Sequence, residues 1–202
     1  MLSSELSTLL SGKYIEIKMF PLSFKEFLSF NNYDESNLEE KFNEYLKYGG
    51  LPAIKLIKGN DELILSYLSD IYNTIVKKDI IDRNNIKEVS LLEKSYIIYK
   101  ADRTDVKSKA LLKTLGKYYV FDSGLRNIIL GFRNINEGHL LENIVYLELL
   151  RRGYRFNIGK YGEYEVDFVA LKSSYNKILS RNNDYNGIKV KNIINWLLED
   201  EK

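Results

Sequence analysis

Two hydrophobic periods share this chain. The first third is mostly helical in pattern, and the remainder mixes strand-like alternation with one long apolar helix. Ser3 to Leu10 predicts a short helix closed at Gly12, where glycine suits a left-handed cap. Lys13 to Met19 then alternates, with Ile15, Ile17 and Met19 on one side and Glu16 and Lys18 on the other, as a half-buried strand does. Pro21 ends it. Ser23 followed by Glu26 has the spacing of a capping box, so a helix is predicted with Phe24, Phe27 and Leu28 on its apolar side. Leu38, Phe42, Tyr45 and Leu46 recur at helical spacing in a segment that stops at Gly49-Gly50. Leu63 to Asp82 predicts a long helix with Leu65, Leu68, Ile71, Tyr72, Ile75 and Val76 inward. Ile86 to Lys94 predicts another short one.

The pattern then changes. Tyr96–Tyr99 and Tyr118–Phe121 read as strands, and Asp122 is placed to cap a helix over Ser123–Leu130. Gly138 opens a helix from His139 to Arg152, closed by Gly153. It is apolar on almost every side, which predicts extensive burial. Tyr154–Ile158 and Tyr164–Ala170 follow as strands joined by a turn at Gly162. A polar loop over 182–187 precedes a strand and helix spanning Ile188–Glu199, with Trp196, Leu197 and Leu198 in the helix. No internal repeat is present. The expected class is mixed α/β, with a boundary near residues 84–96 dividing a helical unit, 1–94, from a strand-containing unit, 95–202.

Composition acts mainly by exclusion. Apolar residues at 45% and charged residues at 29% argue for a packed core over disorder. With no cysteine and one histidine, His139, the chain has no disulfides, thiolate chemistry or Cys/His zinc sites, and no nucleophile–histidine pair that does not use His139. Apolar runs of about four residues, such as Ile144–Leu147, are far short of a membrane span. Met1–Glu5 lacks the basic start of a secretion signal. The expectation is a cytoplasmic protein without a membrane partner.

Charge is unevenly placed. Residues 1–94 carry 12 Lys/Arg against 15 Asp/Glu, and residues 95–133 carry 8 against 3. Lys100, Arg103, Lys107, Lys109, Lys113 and Lys117 form a basic run flanked by Tyr96 and Tyr99 before it and Tyr118 and Tyr119 after it, a composition suited to base stacking and phosphate contact. Nucleic acid is therefore one expected partner. The alternatives are a solvated basic face and tyrosines that simply pack.

Two kinds of catalytic chemistry can be tested directly. Gly-Lys occurs at 12–13, 116–117 and 159–160, each time followed by tyrosine, and the position five before each glycine is Ser7, Leu111 or Tyr154. A phosphate-binding loop needs glycine there and a hydroxyl after the lysine, so these residues form none. Asp122 ends a strand-like run but is followed by Ser123 in place of a second acid. The other candidate is a carboxylate site. Glu142 lies early in the apolar helix, and Asp167 lies in a strand where Val166 and Phe168 are expected to face the other way. Two acids meeting there could hold Mg²⁺ through oxygen ligands, with a lysine on an adjacent strand completing a hydrolytic site. The simpler alternative pairs Glu142 or Asp167 with Arg151, Arg155 or Lys160.

Longer strings carry a resemblance. LSSELSTLLSGKY (2–14) and FPLSFKEFL (20–28) resemble the end of the ATPase core in a family of archaeal and bacterial AAA-type ATPases. The C-terminal domain of that family is similar to restriction-endonuclease-like folds. YLKYGGLP (45–52), DIYNTIVKKDI (70–80), KYYVFDSGLRN (117–127), GHLLENIVYLELLRRGY (138–154) and EVDFV (165–169) extend the resemblance to about residue 170. It implies an AAA lid-like segment followed by an incomplete endonuclease-like domain, with Glu142 and Asp167 in nuclease-like and metal-binding positions. Departures are also visible. Lys13 stands where the family usually has arginine, a winged-helix segment is missing between Lys94 and Ser95, and no glutamine exists to fill the third nuclease-like position. Lys177 lies beyond that point without strand-like flanks. The resemblance carries over no ATP-binding residue. It implies a shortened, non-catalytic interaction module contacting nucleic acid or protein. The alternatives are a weak Mg²⁺-dependent nuclease using Glu142 and Asp167, and an ATPase subunit whose phosphate loop comes from a partner.

Overall fold

The computed structural model describes residues 19–57, 59–74, 92–93, 95–108, 110–113, 116–132, 137–172, 184–185, 188–189 and 191–200. The expected elements over 3–10 and 86–91, most of the 13–19 strand, and residues 75–82 of the long helix lie outside these. The fold is mixed α/β.

Three α-helices open the described chain. α1 (Phe24–Phe30) has the capping box complete, with the Ser23 hydroxyl accepting from the Glu26 amide and the Glu26 carboxylate accepting from the Ser23 amide at 2.8 Å. α2 (Leu38–Tyr48) ends at Gly49, whose φ of 85° only glycine adopts freely. A 3-10 turn over Pro52–Ile57 leads to α3 (Asp61–Ile71). Asn60 caps α3, an element start two residues earlier than its apolar spacing indicates. Ile64, rather than Leu65, is among its most buried positions.

The strands form two main sheets. β1 (Ile98–Ala101) pairs antiparallel with β3 (Lys117–Val120). β2 (Arg103–Asp105) runs parallel to β4 (Tyr154–Tyr161), which pairs antiparallel with β5 (Tyr164–Lys172) across a turn at Gly162. Between them lie α4 (Ser123–Leu130), capped by Asp122 as expected, and α5 (Glu137–Arg151). α5 packs on β3, β4 and β5. The polar stretch over 182–187 holds a short strand, β6 (Asp184–Tyr185), paired with β7 (Ile188–Lys189). α6 (Ile193–Leu198) follows, capped by Asn192.

The two halves of the chain share their cores. Phe24, Phe27, Phe42 and Tyr45 of α1 and α2 pack with Ile144 of α5 and Leu197 of α6. A second cluster holds Tyr119, Tyr146, Leu147 and Ile158, with Phe156 and Phe168 against it. The Tyr119 and Tyr146 rings stack there at 4.1 Å. Asp122 links the halves directly. Fully buried, it accepts from the Leu125 amide at 3.0 Å and from the Gly50 amide at 2.8 Å. A Cβ at Gly49 would collide with the Asp122 carboxylate, and one at Gly124 would collide with the Tyr48 carbonyl.

Candidate carboxylate–lysine site

β4 and β5 are out of step by one residue in the middle. Asn157 pairs with Val169 and Gly159 with Val166, so Asp167 and Phe168 together stand opposite Ile158. This bulge places neighbouring residues on the same side of the sheet, which simple alternation forbids. Phe168 therefore joins the inner core while Asp167 also reaches inward. The expectation that they face opposite ways is corrected by this one extra residue.

The inward acids meet a lysine. Lys117 Nζ, at the start of β3, lies 2.8 Å from Glu142 Oε1, 2.7 Å from Glu165 Oε1 and 3.4 Å from Asp167 Oδ1. The Tyr119 hydroxyl, two residues along the same strand, donates to Glu142 at 2.5 Å. His139 Nδ1 lies 3.4 Å from the other Glu142 oxygen, one helical turn away. Arg103 of β2 holds Glu165 from the far side at 3.0 Å. Asn143 fixes the helix above this group. Its amide accepts from Val120 N and donates to Val120 O, both at 2.8 Å, as an added rung on β3 would.

Electrostatics favour the ion cluster. Burial pushes the Glu142 carboxyl up, but the bonds from Lys117 and Tyr119 outweigh it and hold that group below its usual value. Burial alone would lower Lys117, yet Glu142 and Glu165 raise it to about 12. The Tyr119 hydroxyl is held protonated by burial and by the facing Glu142 carboxylate.

Glu142 and Asp167 thus come together, but around an ammonium. Glu142 is the buried member of the pair, while the Asp167 side chain is 66% exposed. The partner of both is Lys117, not Arg151, Arg155 or Lys160. Arg151 pairs with Glu148. Lys117 engages one oxygen of each of the three carboxylates. Among the described residues, no group of three or more His, Asp or Glu is placed to hold a metal ion. As arranged, the residues do not fit Mg²⁺.

The six expected nucleic-acid contacts separate. Lys117 and Arg103 are tied into the acid cluster, and Lys100 pairs with Asp102 at 2.8 Å. Lys107 lies over the Tyr161 ring at 4.7 Å, Lys113 is exposed, and Lys109 and Lys177 lie outside the described residues. Glu165, Tyr119 and Asn143 are site residues that the sequence reading does not identify. Glu165 carried a usable signal, sitting two positions before Asp167 in a strand.

No helix among the described residues is long and apolar enough to cross a membrane. No protein-family model matches the chain, and no solved structure matches it. The chain is 29% identical over 230 residues to the uncharacterized protein MJ1544 of Methanocaldococcus jannaschii, covering 85% of this chain and 50% of that one. A second similar protein is an uncharacterized protein of Haemophilus influenzae, aligned over 276 residues. That alignment exceeds the 202 residues of this chain by 74, so the relative carries internal segments without counterpart here. At 33% identity over 98% of this chain and 68% of the Haemophilus influenzae protein, the chain belongs to the same family as that protein.

Proposed function

We propose that this chain is a non-catalytic interaction module of an AAA-type ATPase family protein, working in the cytoplasm through a nucleic-acid or protein partner. The observation that carries the reading is the closure of the Glu142, Glu165 and Asp167 carboxylates on Lys117. A cluster bridged by one ammonium ties β3, β5 and α5 together, and its acids are not placed as a metal-holding group. The absence of a phosphate-binding loop in the residues present supports a role without ATP hydrolysis by this chain alone. A partner-supplied loop remains the ATPase alternative.

The second reading, a weak Mg²⁺-dependent nuclease, is favoured by one observation. Glu142 and Asp167 share one lysine, the residue type a hydrolytic site uses. Supercoiled plasmid incubated with the protein in Mg²⁺ or Mn²⁺ decides between them. The module reading expects intact plasmid. Cleavage that disappears with EDTA and in Asp167→Ala would overturn it.

A further inference from the structure

Among the described residues, the side of the β2–β4–β5 sheet away from α5 is open. Directly paired residues share a face, so Gly159 with Val166, and Tyr161 with Tyr164, point outward together. Thr104 joins them through its pairing with Gly159. Tyr161 is 49% exposed and Tyr164 77%. Val106, Val166 and Val169 surround the bare backbone of Gly159, where an added Cβ would stand 2.7 to 3.2 Å from them. The three valines thus fill the space over that glycine, and beside it on β2 the Thr104 hydroxyl oxygen is buried without a hydrogen-bond partner.

The charges on this face differ from those inside. Arg155, two pairs of positions before Gly159 on β4, faces outward and is exposed. Lys107 sits at the other end over Tyr161. Neither has a carboxylate within ion-pair distance among the described residues. Asp105, near Lys107, is committed to the amide and hydroxyl of Ser108 at 2.7 and 2.9 Å. The inner cations, by contrast, are neutralised.

We infer that this outer sheet face binds single-stranded nucleic acid, with bases stacking on Tyr161 and Tyr164 and phosphates meeting Lys107 and Arg155. Two adjacent exposed rings with one cation over them and a second at the far end of the same apolar strand surface suit unpaired bases on a polyanionic backbone. The stretch of β4 from Arg155 to Tyr161 extends roughly 20 Å, the reach of a few nucleotides. The inference rests on the interaction-module reading and names its partner.

The test is fluorescence anisotropy of an end-labelled oligothymidylate of about twelve nucleotides, with each sample then run on a denaturing gel. Binding is expected, weakened roughly tenfold by Tyr161→Ala and again by Tyr164→Ala. Lys107→Gln should reduce the salt slope by about 0.7. Far-UV circular dichroism should stay unchanged because these side chains are exposed. Wild-type affinity in both tyrosine variants, or no binding by the wild type, overturns the inference. So does a wild-type dimer in sedimentation that Tyr164→Ala dissociates without any oligonucleotide binding, because the face then belongs to a second copy. A shortened oligonucleotide on the gel would instead sink the non-catalytic reading, leaving the surface to be judged by anisotropy.

Discussion

The Asp122 carboxylate, fully buried, accepts a hydrogen bond from the Gly50 amide 72 residues earlier in the chain. The same carboxylate caps α4 through Leu125. One side chain therefore ends a helix start and clamps the α2 end against it.

Asp122→Ala leaves at least two buried amides without an acceptor, so it should cost about 3 kcal/mol. Urea unfolding followed by circular dichroism measures this. An unchanged midpoint would mean that water replaces the carboxylate.

Asp122 also sets a pH dependence. Burial raises its carboxyl against the pull of the backbone donors, so the folded state binds this proton more tightly than the unfolded chain. Stability linked to Asp122 is therefore greatest in acid and falls as pH rises from the unfolded value through the folded one. Asp122→Asn should remove that fall. Urea midpoints across the acid range, wild type against variant, check the sign.

Lys117→Met leaves three acids without their shared cation. Lys117 is about one-fifth exposed and Glu142 nearly buried, so the cost lies between that of exposed and buried pairs, about 2 kcal/mol. In the wild type, the Lys117 contribution is complete below the ordinary lysine value of 10.5 and lost as pH rises through about 12. Glu142 acts oppositely: its low folded value adds stability above about 4.5 that vanishes as pH falls through it. A variant with wild-type melting from neutral to alkaline pH would refute the cluster's role.

Emptying the cluster should expose its latent affinity for cations. With Lys117→Ala, Glu142, Glu165 and Asp167 face each other without their shared cation, and Mn²⁺ bound only by the folded state raises the melting temperature. A rise of a few degrees is expected in the variant and none in the wild type. Equal shifts in both would show that Lys117 does not exclude the metal.

Arg152 docks the last helix. Its guanidinium stacks on Trp196 at 4.6 Å, donates to the Trp196 carbonyl at 2.9 Å and binds Glu148 at 2.7 Å. Arg152→Ala should loosen α6 and shift emission from the chain's one tryptophan to the red. Unchanged emission would place the docking in Leu197 alone.

What could be read from sequence was local. The Ser23–Glu26 box, the Gly49 stop and the Asp122 cap each involve residues within one turn, so their chemistry lies in a few adjacent letters. β2 leaves no signal in the sequence because Arg103-Thr104-Asp105 has no alternation, and its strand exists through parallel pairing to β4 more than 50 positions later. Lys117 reads as a phosphate contact in sequence because its partners, Glu142 and Asp167, come 25 and 50 residues later. A single bulged residue also defeats any period-two reading of β5.

That bulge gives β5 a position that can be spared. Where a regular strand must choose whether a site points to core or to chemistry, this one presents Phe168 and Asp167 in succession to the same side. Removing Asp167 outright would leave Phe168 opposite Ile158 and Val169 opposite Asn157, an unbroken ladder with the core and outer face unmoved. The acid is thus an insertion the fold tolerates rather than one it requires, and an evolving lineage could shed or gain it in one codon without refolding the sheet.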